Sequence, residues 1–161
     1  MKRWKDAARD ALVSGTTASV LSTAALATCG AAELGRPLAP TNAISHWIFG
    51  DRAMRANRFS WRHTGLGYLT HHAASVLWAL LYEKVFGERR RDDPAVTALG
   101  EAMAVAAVAY FVDYRLTPRR LMPGYERRIS GRSLLAVYAS LAAGLALGGA
   151  LLRLARDDAV R

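Results

Sequence analysis

The chain of 161 residues contains one cysteine, Cys29, so no internal disulfide and no dithiol pair is available for thiol–disulfide chemistry. It also lacks a phosphate-binding loop, a paired-histidine zinc helix and a Gly-x-Ser-x-Gly elbow, which removes the usual signatures of nucleotide hydrolysis, zinc proteolysis and serine esterases. Acidic residues are scarce, 13 against 22 Lys and Arg, for a formal net charge of +9. Nineteen of those 22 are Arg and 31 residues are Ala, a usage that accompanies GC-rich genomes and points by association to a bacterium. In such a chain an arginine is weaker evidence for guanidinium chemistry than in a lysine-rich one.

The most informative absence is local. Twenty-two residues between Asp10 and Glu33, and twenty each between Arg62 and Glu83 and between Arg132 and Arg153, carry no Asp, Glu, Lys or Arg. A bilayer core of roughly 30 Å takes about 20 helical residues at 1.5 Å each, so every gap has spanning length. A fourth stretch, Pro94 to Val112, is interrupted only by Glu101. The expectation is an all-α integral membrane protein, one domain over 1–161. It would be a four-transmembrane-helix bundle with helices near 11–32, 60–86, 94–113 and 133–152 and a short interfacial helix in the first loop.

Boundary residues agree with these spans. Ser60 suits a cap for the second helix, Gly87 its end, Pro94 a first turn, and Gly131 with Ser133 the start of the fourth. Trp61, Tyr82, Phe86, Tyr110, Phe111 and Tyr114 gather near the ends like an interfacial belt. The first and third segments are rich in small residues and insert weakly, which leaves three spans as the alternative; a soluble Ala-rich bundle is the other rival. The run Leu26-Ala27-Thr28-Cys29 is similar to a lipoprotein cleavage box. Asp6 and Asp10 dilute the basic region before it, and Thr28 departs from the small residue wanted there, so the segment is read as a retained helix.

Four spans place both termini and the 83–93 loop on one side, with loops 33–62 and 113–132 on the other. Lys and Arg divide eleven to eleven between those sides, so positive charge does not orient the protein. Cytoplasmic termini in a bacterial inner membrane are the preferred arrangement, because the basic tail precedes the first helix.

The two long loops carry the densest chemistry. In the first, Thr41 is placed to cap a short helix that Gly50 stops, with Ile44, Trp47 and Ile48 on one stripe and His46 among them; Asp51 then caps a stretch bearing Arg52, Arg55, Arg58 and Arg62. The facing loop holds Asp113, Arg115, Arg119, Arg120, Glu126, Arg127, Arg128 and Arg132. Together the loops set eleven Arg against Glu33, Asp51, Asp113 and Glu126, a formal +7. Guanidinium groups fit phosphate and carboxylate bidentately, so this face is a candidate site for anionic lipid or a small anionic ligand. Ion pairing between the loops is the plainer account of the same residues. Nucleic acid is not expected, since no recognition module accompanies the basic patch.

Within the spans His71, His72, Ser75 and Glu101 are the polar candidates, because ionisable groups at membrane depth are costly to keep. Antiparallel second and third helices would bring Glu101 level with Ser75 or Val76, within reach of an imidazole. Such a cluster could staple helices or handle protons. No cofactor is expected. Haem held by one helical histidine and His46, its propionates on the Arg face, is a distant alternative, and no protein-held metal is expected, since His71 and His72 diverge by about 100° on a helix. Ser140, Gly144 and Gly148 form a small-residue face for close helix approach, within the bundle or in a homodimer. The function that emerges is a small multi-pass membrane component without catalytic residues, its Arg-rich face binding anionic lipid or ligand; a proton-handling enzyme or transporter is the runner-up and a haem carrier the third reading.

Overall fold

The computed structural model describes residues 1–88 and 95–159. Four long helices dominate: α1 (Trp4–Leu34), α4 (Leu66–Phe86), α5 (Ala95–Phe111) and α6 (Gly131–Asp158). Between α1 and α4 run α2 (Ala39–Ile44), α3 (His46–Phe49), a 3-10 turn (Gly50–Arg55) and a π turn (Trp61–Gly65) that leads into α4. A second π turn (Val112–Leu116) extends α5, and two single 3-10 turns, Arg119–Leu121 and Tyr125–Arg127, occupy the last loop. No strand occurs among the described residues. Pro94 and the basic residues 89–91 lie outside the described residues.

Helix ends follow local chemistry. The Ser60 hydroxyl accepts from the His63 amide at 3.1 Å, and Ser130 caps α6 by accepting from Ser133. Gly35, at φ 62°, ends α1 by turning into the left-handed region that glycine enters freely.

α1 is the centre of the bundle and packs chiefly on α6, then on α4, while α5 closes against α6. Glycine allows the closest approach. A Cβ at Gly144 would stand 2.4 Å from the Ala18 Cα, and one at Gly148 2.3 Å from the Ser14 Cα. The Thr17 hydroxyl donates to the Gly144 carbonyl at 2.7 Å across the same contact. Gly144 and Gly148 therefore meet α1 of their own chain, with Ser140 half-buried beside them.

The distribution of side chains is inverted relative to a water-soluble bundle. Ala11, Ala18, Ala79, Ala102, Ala106 and Ala142 form much of the interior, accompanied by buried Ser14, Ser19, Ser22, His71 and Ser75. Leu12, Val20, Leu69, Leu77, Val96, Val108, Leu135 and Leu154 face outward along all four long helices. Among the described residues three helical segments are long and apolar enough to cross a membrane: Trp4–Leu34, Val96–Leu116 and Gly131–Asp158. The weak segment is the second rather than the alanine-rich first or third. α4 has 21 residues, but His71, His72, Ser75 and Glu83 dilute its apolar character.

Both termini share one end of the bundle with residues 83–88. Lys2 pairs with Asp10 and with Glu83, Arg156 pairs with Asp10, and the Met1 amine meets Glu88 at 2.6 Å. The long loops meet at the opposite end, where Glu33 accepts from the amide and hydroxyl of Ser130, each at 2.7 Å.

Candidate functional site

The loop end is built on Asn42. Its side chain is fully buried, donates to the carbonyls of Ala56 and Arg58 at 3.0 Å each, and accepts from the Thr64 hydroxyl at 2.7 Å. All six residues of α2 are buried, so this helix folds into the mouth of the bundle. Its backbone lies against α4 at Gly67, where a Cβ would stand 2.1 Å from the Thr41 carbonyl oxygen. Two local expectations fail here. Thr41 is not a cap, because α2 begins at Ala39 with Pro40 in its first turn. The common stripe is broken as well: the chain turns at Ser45, burying Ile44 while Trp47 and Ile48 face outward.

The second loop is clamped onto the first. Trp47 Nε1 donates to the Met122 carbonyl at 2.8 Å, and Gly124, at φ 93°, packs against the His46 ring and the Ala43 carbonyl. Beneath them Tyr125 is buried, donates to Tyr138 at 3.4 Å, and Tyr138 donates to Asp113 at 2.5 Å. Burial holds the Tyr125 hydroxyl well above the ordinary phenol range. Ser45 donates to the Asn42 carbonyl, so its oxygen receives the His63 Nδ1 hydrogen at 2.9 Å.

The frame decides which arginines are compensated. Glu33 is engaged by Ser130 and Ser133, Asp113 by Tyr138, and Glu126 by the Gly124 amide. Only Asp51 takes a guanidinium, Arg127 at 3.2 Å; its side chain makes no cap. Arg128 donates to Asn57 at 2.8 Å, and Arg62 lies 4.3 Å from the Phe49 ring centroid. Arg36, Arg52, Arg55, Arg58, Arg115, Arg119, Arg120 and Arg132 are exposed and have no acidic partner among the described residues. Beside them protrude Trp61, 81% exposed, with Phe59, Ile48, Leu116 and Leu121.

Of the polar residues within the helices, His71 and Ser75 are buried, and His72 and Glu101 half-buried. His71 Nε2 and the Ser22 hydroxyl are 2.8 Å apart across the α1–α4 contact, the Tyr125 ring stands edge-on to His71, and Ser75 donates to the His71 carbonyl. His72 stacks on Tyr68, and its buried Nδ1 has no hydrogen-bond partner among the described residues. Tyr82 donates to the Ala98 carbonyl at 3.2 Å, and half-buried Glu101 lies one turn farther along α5. His46 Nδ1 meets the Ala43 carbonyl at 3.0 Å. Among the described residues no three His, Cys, Asp or Glu side chains converge as metal ligands.

Sequence reasoning missed the opposite end. Lys2, Asp10 and Glu83 are buried together there, with Arg156 on Asp10. Asp10 and Glu83 are the acids that close two charge-free gaps on the terminal side, which was their only signal. No protein-family model, curated protein or solved structure matches the chain.

Proposed function

We propose that this protein is a multi-pass component of a bacterial inner membrane, crossing it four times with cytoplasmic termini, whose loop face holds the phosphates of anionic lipid. One observation carries the reading: three of the four acids of that face are engaged by hydroxyls and backbone amides and the fourth, Asp51, by Arg127, which leaves eight exposed arginines without an acidic or ring partner beside outward-facing Trp61, Phe59 and Leu116. Guanidinium groups at headgroup level with aromatic rings below them suit an interface with anionic lipid. The apolar exterior supports insertion, and α4 fits as the fourth span because its polar residues His71, Ser75 and Glu83 are buried while Leu69, Leu77, Leu81 and Val85 face outward.

The test compares nanodiscs of phosphatidylglycerol with nanodiscs of phosphatidylcholine, reading lipid retained by the detergent-extracted protein. Anionic lipid is expected to be retained preferentially. Arg55→Ala with Arg119→Ala should weaken retention by about 2 kcal/mol, at roughly 1 kcal/mol per headgroup contact, and leave the melting temperature nearly unchanged. Equal retention of both lipids would refute the lipid reading. A protein that stays monodisperse in water without detergent would refute membrane insertion itself.

A further inference from the structure

The small residues that draw α1 and α6 together also set where they part. From the crossing at Ser14 and Gly148 the helices separate toward the terminal end, leaving a groove of about 810 Å³. Val13 and Leu152 line its apolar part, and the buried Lys2 and Asp10 line its charged part. Arg9 enters from α1 and Arg156 from α6.

Charge within the groove does not cancel. Arg3 is neutralised by Asp6 at 2.7 Å, and Glu88, on the rim, by the Met1 amine. Lys2 and Arg156 share Asp10, and Lys2 also meets Glu83 at 3.3 Å, so these two cations are balanced by two carboxylates. Arg9 is exposed and has no acidic partner among the described residues. The groove thus presents the unpaired Arg9 guanidinium from α1 as its surplus charge, with the Asp10-paired Arg156 guanidinium from α6 and the apolar Val13 and Leu152 in the same lining.

We propose that this groove is a phosphate-binding site at the opposite end of the bundle from the Arg-rich loops, with Arg9 and Arg156 reaching the phosphate from α1 and α6. Two forked donors on separate helices suit an oxyanion with several acceptor oxygens, and Val13 with Leu152 suits the carbon attached to a phosphate ester. The site does not depend on the loop face or its lipid.

The experiment uses the full chain in neutral detergent and reads bound species by native mass spectrometry, with phosphatidic acid and phosphatidylcholine as lipid probes and glycerol 3-phosphate as the soluble one. Phosphatidic acid should be retained over phosphatidylcholine. Arg9→Gln, which breaks no ion pair in the fold, should weaken retention about fivefold, the loss expected for one guanidinium beside an anionic headgroup. Arg9→Gln with Arg156→Gln should abolish the preference, and Arg55→Gln with Arg119→Gln should leave the Arg9-dependent part unchanged. Displacement of the lipid by glycerol 3-phosphate would show that phosphate alone is recognised; failure to displace it, with the Arg9 dependence intact, would assign the site to a lipid headgroup. Retention indifferent to Arg9, or equal for the two lipids, would overturn the proposal.

Discussion

Alanine at Gly144 or Gly148 tests the α1–α6 contact where it is tightest. A methyl group at either position would lie 2.3–2.4 Å from a backbone Cα of α1. Carbon atoms settle at about 3.5–4.0 Å, so α1 must retreat by about 1.2 Å or more. Overpacking of this kind costs about 1–3 kcal/mol. Retreat also stretches the 2.7 Å bond from Thr17 to the Gly144 carbonyl, worth about 0.6 kcal/mol between helices in an apolar setting. Against this, alanine improves a helix interior by up to about 1 kcal/mol over glycine. The net expectation is about 1–2 kcal/mol of destabilisation per site, and less than twice that for the pair, since both methyl groups demand the same displacement. Gly100 on α5 is the control: nothing lies within 4 Å of its missing Cβ, so Gly100→Ala should be neutral or stabilising. Unfolding of the three variants in mixed detergent, followed by circular dichroism, measures the difference. If Gly144→Ala and Gly148→Ala are both as stable as Gly100→Ala, the close-approach reasoning is wrong.

Asn42→Ala removes three hydrogen bonds around a buried centre and should cost about 2–4 kcal/mol while speeding proteolysis within residues 50–60; unchanged cleavage there would show that Asn42 does not hold the loop. Lys2→Met leaves Asp10 and Glu83 buried with one cation fewer and should destabilise by about 3–5 kcal/mol, and adding Asp10→Asn should recover part of the loss in the same melting assay. Burial raises the Tyr125 hydroxyl above its unfolded value near pH 10, so its contribution is complete below about pH 10 and falls as the pH rises from there. Melting temperatures between pH 8 and 11 should accordingly drop further for the parent than for Tyr125→Phe, and parallel curves would reject the assignment.

The gaps in charge were enough to locate α1, α4 and α6, because a helix surrounded by apolar side chains tolerates few ionised groups. Their full lengths were not legible: α1 starts at Trp4 and α6 continues to Asp158, past Asp10 and Arg156, which pair with each other in a cluster completed by Lys2 and Glu83. Such a cluster is invisible along the chain because its bonded partners are separated by as many as 146 residues. In the first loop, spacing located a short helix but could not reveal the turn at Ser45, which separates Ile44 from Trp47 and Ile48. Asn42 gave no local signal either, since its partners lie 14 to 22 residues away. The positions of the loop arginines were plain; which were uncompensated was not, because that depends on Ser130, Ser133, Tyr138 and the Gly124 amide occupying the acids first.

The alanine, serine and glycine interior has a consequence for redesign. Exchanging Leu12, Leu69, Leu77, Leu135 and Leu154 for charged residues would leave the interhelical seams untouched, yet a folding chain in water would find little hydrocarbon there to conceal, since each alanine contributes a single methyl. The same seams that admit near-contact between backbones therefore make a poor keel for an aqueous version of this bundle, and a soluble redesign would have to rebuild its inside as well as its coat.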